Sequence, residues 1–286
     1  MSIATDASES NEQKELQVYG RGSNTKICFR VELPDRRYEN VLSGDRHIGY
    51  VMVNQTDAMS VVNQRNGFND ILEPHHNLLI TGTEKDEKLK KRSVYTDLDL
   101  LAKLDKSVTF IPDYSWVYGK GMTEEEQLKA VRLYLNRLER LCERIEEECL
   151  AHVTVLPLAK GICKRHFEEI SDTFERLGFD RYAFYAVQTN SLPRLIEEIR
   201  VSVTVLDPEE ILVIGRGSPS EIAKLPSEVN GIASLRYWKD HVKLNSDGYS
   251  EPRLVEWQRK IRSSLEDGRV GTQSRFSNFP EMGVSC

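Results

Sequence analysis

Apolar positions in this chain gather into eight short runs, at 26–33, 49–53, 77–81, 108–112, 153–158, 182–187, 211–214 and 232–235. The runs are rich in β-branched and aromatic residues, which suit a pleated strand. Between them the apolar spacing changes from two to three and four. Leu128, Val131, Leu135, Leu138, Cys142, Ile145 and Cys149 recur in strict three-four alternation, one stripe of a long helix. Thr123 and Glu126 form a capping box at its start, and Glu124, Glu125 and Glu126 suit the positive end of its dipole. The stripe fits a coiled-coil seam or a helix packed on strands; the strands on either side favour the second. Cys142 and Cys149 then count as small core residues. Residues 191–201 and 252–265 form further amphipathic helices, the first with Leu192, Leu195, Ile196 and Ile199 on one face.

Strands alternating with helices imply parallel pairing, because a parallel neighbour needs a crossover to reverse direction. Eight such strands predict an α/β fold, a TIM-like (β/α)8 barrel, as a single domain over 25–266. Its N-terminal third reads as irregular: a helix begins near 58–63, Asn66-Gly67 marks a turn, and 97–103 makes a short helix. Residues 1–24, polar and aperiodic, are expected to be a disordered tail, and 267–286 a flexible one.

Composition adds little to the fold but limits the function. The 286 residues are 39% hydrophobic and 29% charged, values of an ordinary globular protein. No apolar run reaches the roughly 20 residues that span a bilayer, so no membrane role is expected. Five cysteines without a C-x-x-C pair point to a reducing cytoplasm and away from disulfides and a four-cysteine zinc site. His75 and His76 point to opposite faces of an extended chain and are not expected to share a metal. No metal or cofactor is called for. A net charge of −6 argues against general nucleic-acid binding but leaves local basic patches open. The densest such patch is Lys88, Lys90, Lys91 and Arg92, either a solvated face or a phosphate contact.

In parallel α/β folds chemistry sits past the carboxyl ends of the strands. Those positions hold Asp113, Lys160 and Gln188. After the strand at 211–214 comes Gly215-Arg216-Gly217-Ser218-Pro219, opening a helix over 220–224. This turn serves equally as a tight βα connection or as a cradle of N–H groups for phosphate. Arg236-Tyr237-Trp238-Lys239-Asp240-His241 is a dense polar and aromatic group at the end of the last strand.

Three segments in order resemble the tRNA-guanine transglycosylase superfamily. They are VTFIPDYSWVYGKGMTEEEQLKAVRLYLNRLERLCERI, VTVLPLAKGICKRHFEEISDTFERLGFDRYAFYAVQ and ILVIGRGSPSEIAKL, within 108–235. The resemblance implies a (β/α)8 barrel that exchanges guanine for a 7-deazaguanine base. It places Asp113 at the base-recognising aspartate, and the base-reading glutamine falls near Ala159 or Lys160. Ser234 stands where the nucleophilic aspartate is expected, with Asp240 the nearest carboxylate. Thr81-Gly82-Thr83 replaces the turn that carries the second catalytic aspartate, with Asp86 the closest acid. The family's cysteine-rich zinc site has no counterpart after Ser234, so the layout is closer to the phage and viral branch that modifies DNA.

Base exchange needs a carboxylate nucleophile at the anomeric carbon and a group to handle the base's proton. The base must also leave the stack. The resemblance therefore implies Asp240 as nucleophile, Asp86 as proton handler and Asp113 on the base, with Lys160 and Gln188 beside it. Tyr114, Trp116 or Tyr185 are expected to stack, and Arg216, Gly217 and Ser218 to hold phosphate. The implied ligands are nucleic acid, DNA before tRNA, and a 7-deazaguanine. A partner subunit or homodimer is also open, as is a catalytically silent binding subunit.

Overall fold

The structure is a computed structural model that describes residues 25–276, apart from 45, 66, 85–88, 90–91, 118–120, 190 and 246–247; for 268–276 it describes the backbone alone. The expected tail at 1–24 and residues 277–286 lie outside the described residues.

Eight strands form one all-parallel, curled sheet. They are β1 Lys26–Val31, β2 Tyr50–Asn54, β3 Asn77–Thr81, β4 Val108–Ile111, β5 Val153–Val155, β6 Arg181–Tyr185, β7 Glu210–Ile214 and β8 Val229–Ser234. Their order is β5-β4-β3-β2-β1-β8-β7-β6, so β1 and β8 pair, as in a (β/α)8 layout. The barrel is not closed. Between β5 and β6 there is no ladder, only a bridge at Leu158 and Ala183, where Ala159 N donates to Ala183 O at 2.9 Å and Ala183 N to Pro157 O at 2.8 Å.

The described helices alternate with the strands: α1 Arg36–Gly44, α2 Gln55–Gln64, α3 Val94–Ala102, α4 Glu124–Glu147, α5 Lys164–Arg176, α6 Leu192–Leu206, α7 Pro219–Ile222, α8 Arg236–Val242 and α9 Glu251–Phe276. The N-terminal third is therefore regular, contrary to expectation, because α1 and α2 follow β1 and β2 directly. Helix α1 is short and polar, yet Tyr38, Val41 and Leu42, at i, i+3 and i+4, are buried as one face. The last helix also continues past 265, to Phe276, because helix propagation needs only the chain's own backbone bonds.

Helix α4 begins at the expected capping box, with both reciprocal bonds formed. Its stripe packs on the sheet and is no coiled-coil seam: the Tyr134 hydroxyl accepts from Leu158 N at 2.7 Å, and Leu128, Val131, Leu135, Leu138 and Leu141 are buried. Cys142 packs against the core, but Cys149 is exposed. The helix has ended by then, and Cys149 turns the chain at a φ of 54°.

The side chains of each strand alternate between helix layer and barrel axis. Phe29 meets Trp238 and Trp257 edge-on, at centroid distances of 5.5 and 5.4 Å. It thus faces the helices, and its neighbours Cys28 and Arg30 face the axis. Trp238 Nε1 donates to Arg30 O at 3.0 Å, tying α8 to β1.

Candidate functional site

The carboxyl ends of the strands form a polar mouth. Strand β4 stops at Ile111 because Pro112 has no N–H to continue the ladder, and Asp113 projects on the same side as Ile111. Lys160 follows the bridge from β5 to β6. Its Nζ donates to Asp113 Oδ1 and to the Ser115 carbonyl oxygen, so the ends of β4 and β5 are joined by a salt bridge. Asp113 also accepts from Ser115 N at 3.4 Å. The two residues are 3% and 5% exposed. Burial pushes the Asp113 carboxyl above the usual carboxylate range, and Lys160 and then Arg92 oppose that shift.

Tyr185 at the end of β6 is partly buried. Burial raises its hydroxyl pKa; Arg30 lowers it and the Asp113 charge raises it, so it neighbours both. Arg30 reaches this point from β1, with Nη2 donating to Asn54 Oδ1 of β2 at 2.5 Å. Strands β8 and β7 lie between β1 and β6 in the sheet, so Arg30 acts on Tyr185 from across the mouth. Two acids stand nearby. Asp57 accepts from Leu33 N at 3.3 Å, and burial raises its pKa, opposed first by that N–H. Glu84 accepts from the Thr56 hydroxyl at 2.7 Å.

The structure brings together Asp113, Lys160 and Tyr185. Gln188 is exposed, three positions beyond β6. Tyr114 is fully buried on the helix side, 5.7 Å from the Arg92 guanidinium, and offers no free face for stacking. Asp86 lies outside the described residues, as do Lys88, Lys90 and Lys91. Arg92 is no solvated phosphate contact. It is buried, ion-paired to Asp97 at 3.1 Å and packed over Phe110. Gln55 donates to the same carboxylate.

Asp240 sits apart from the mouth's polar cluster. Trp238 and Val242 face the core from α8, and a step of two residues from either turns Asp240 to the opposite side. Its carboxylate is 62% exposed and pairs with Arg236 at 3.5 Å. These two residues, with Tyr237 and His241, line an open depression of about 580 Å³. Ser234 pairs in register with Phe29 and so faces the helices; a Cβ on Gly217 would overlap its Oγ. A second depression, about 430 Å³, lies before β3 and β4 at the opposite end of the sheet and includes Lys106.

The Gly215–Ser218 turn is built as a packed connection. Gly215 has a φ of +102°, and a Cβ there would strike Val187. A Cβ on Gly217 would also stand 2.7 Å from Tyr237 Cβ. Arg216 is held by Glu221 at 3.4 Å and donates to the Thr189 carbonyl oxygen, which leaves a carboxylate beside any phosphate placed there. Helix α7 has four residues, and Ser218 makes no side-chain cap.

Arg30, Asn54, Asp57 and Glu84 were not singled out from the sequence. For Arg30 a signal exists: in KICFRVEL it is a charge inside an alternating apolar run, on the face opposite Phe29. Compared with known proteins, the chain matches no family model and no curated protein sequence.

Proposed function

We propose that the mouth binds a guanine-type base and that the protein exchanges guanine for a 7-deazaguanine in nucleic acid, DNA before tRNA. One observation carries this reading: Asp113 and Lys160, from the segments that follow β4 and β5, present a carboxylate and an ammonium side by side. Guanine and its 7-deaza analogues have N1–H and N2–H donors next to an O6 acceptor. A carboxylate accepts from the first two and an ammonium donates to the third. Adenine reverses that edge and leaves both charges unmatched. Tyr185 lies beside the pair as a contact for the ring face.

A base reaches the pair only by displacing what covers it, and in doing so replaces part of the Asp113–Lys160 contact with its own bonds. The nucleophile for exchange would have to come from a mouth carboxylate, since Asp240 points away from the core. Besides Asp113, Glu84 and Asp57 are described carboxylates near Tyr185 and Arg30. The outward Asp240, together with Ser234 on the helix side, favours a second reading. In it the protein binds the base and a partner subunit performs the chemistry.

Incubation with labelled 7-deazaguanine precursor and, separately, duplex DNA, single-stranded DNA and tRNA tests both. Nucleoside mass analysis after digestion should show the label in DNA, and Asp113→Ala should abolish it. Precursor binding without incorporation would select the second reading. Incorporation or binding unaffected by Asp113→Ala would overturn both.

A further inference from the structure

Three cationic side chains at the carboxyl ends of the strands are each matched by a carboxylate. Lys160 is paired with Asp113, Arg92 with Asp97, and Arg216 with Glu221. Arg30 differs. Among the described residues it makes no ion pair; it donates to the neutral amide oxygen of Asn54 and stands within hydrogen-bonding reach of the Tyr185 hydroxyl, which is neutral too. It is partly buried, so its charge is incompletely hydrated, and it faces the axis beside Tyr185. A guanidinium has five N–H donors in a rigid fork, and Asn54 and Tyr185 take up only part of it. The remaining donors match an oxyanion, for which bidentate pairing is the strong geometry.

The backbone at Arg30 is fixed independently of its side chain. Its carbonyl accepts from Trp238 Nε1, and its residue pairs with Met52 in the β1–β2 ladder. The guanidinium is therefore presented from a rigid strand end, which suits recognition better than a loop. The rest of the mouth does not offer this. Glu221 occupies the cation at the Gly215–Ser218 turn, where a phosphate was expected from the sequence.

We propose that Arg30 is the anion-binding residue of the mouth, and that its anion is the phosphate of the nucleotide whose base enters beside Asp113. The first clause stands on the arrangement of charges; the second rests on the base-binding reading above. Asn54 acts as a positioning residue that turns the guanidinium toward the axis. Asp57 lies within electrostatic range of Arg30.

The test is calorimetric titration of the full chain with inorganic phosphate, deoxyguanosine and deoxyguanosine 5′-monophosphate, repeated with Arg30→Met and Arg30→Lys. Retained thermal unfolding and near-UV circular dichroism establish that each variant folds; the Trp238 bond, made to backbone, persists in both. The nucleotide should bind the native protein at least tenfold more tightly than the nucleoside. Arg30→Met should bring that ratio to near one and abolish phosphate binding, with partial recovery in Arg30→Lys. Phosphate binding in an Arg30-dependent way without any deoxyguanosine binding would support the anion site and sink the base reading alone. Equal phosphate affinity in native protein and Arg30→Met, or no phosphate or nucleotide binding by the native protein, would overturn the proposal.

Discussion

On the β4–β5 side of the mouth, a carboxylate and an ammonium from the segments after two successive strands are buried against each other. On the β7–β8 side, Arg216 is held by Glu221 five residues on, and two glycines are fitted against Val187, Ser234 and Tyr237. Both sides looked chemical in the sequence, but one is assembled by the fold and the other by its own turn. The difference shows that a polar or glycine-rich stretch at a strand end becomes a site only where distant residues converge on it. A local turn can use all its unusual residues to hold itself together.

Removing one member of the buried pair should have the largest effect. Lys160→Met leaves the Asp113 carboxyl buried without its partner and should destabilise the fold by about 3–5 kcal/mol in urea titrations. Adding Asp113→Asn should restore much of that loss; if the double variant is as unstable as the single one, the charge pairing is not the cause. Gly217→Ala should cost about 1–3 kcal/mol through overpacking against Ser234 and Tyr237. Ser234→Ala should relieve part of it, and Gly49→Ala, with open space around it, serves as the near-neutral control. The more exposed pair should matter less. Glu221→Gln is expected to change stability by under about 1 kcal/mol, and Asp240→Ala by no more than about 0.5 kcal/mol. Asp240→Ala should also leave base binding intact, whereas Asp113→Ala should not.

The cysteines extend the contrast between buried and open positions to pH. Burial pushes the Cys28 thiol up to about 12, and the Cys142 thiol up to about 11, from the ordinary 9.0. A raised folded-state value favours the protonated native form. The stability each thiol contributes is full below pH 9 and is lost as pH rises toward 12 for Cys28 and 11 for Cys142. At pH 8, iodoacetamide followed by peptide mass mapping should mark exposed Cys149 in the native protein and Cys28 only after denaturation. Cys28→Ala should lessen the fall in denaturation midpoint between pH 9 and 11.

Helix α4 was readable in the sequence because a reciprocal cap and an uninterrupted stripe both mark it. The strands were readable because each is a compact apolar run between turns. Helix α1 was not, since a nine-residue helix with three buried side chains leaves too short a periodic signal. The same limit applies to the site. Asp113 and Lys160 stood out as polar residues ending apolar runs, but they are 47 residues apart, and only folding shows that each neutralises the other. Asp240 is the nearest carboxylate to Ser234 in sequence. Its direction depends on the rotation of α8, which Trp238 fixes by docking on Phe29 and Tyr38. Arg30 was hidden because a charge in a strand reads as an outward residue until the opposite face is known to be covered.

The seam between β5 and β6 bears on how the protein behaves at high concentration. A sheet edge with unpaired N–H and C=O groups is a template on which another molecule can add a strand. Here the two edges of the sheet belong to the same curl and meet at Leu158 and Ala183, where two hydrogen bonds join them. Each edge thereby stands in the path of a strand approaching the other. Strand β5 is also only three residues long, too short to template an extended pairing. An incomplete barrel of this kind protects itself from edge-to-edge aggregation without completing its ladder.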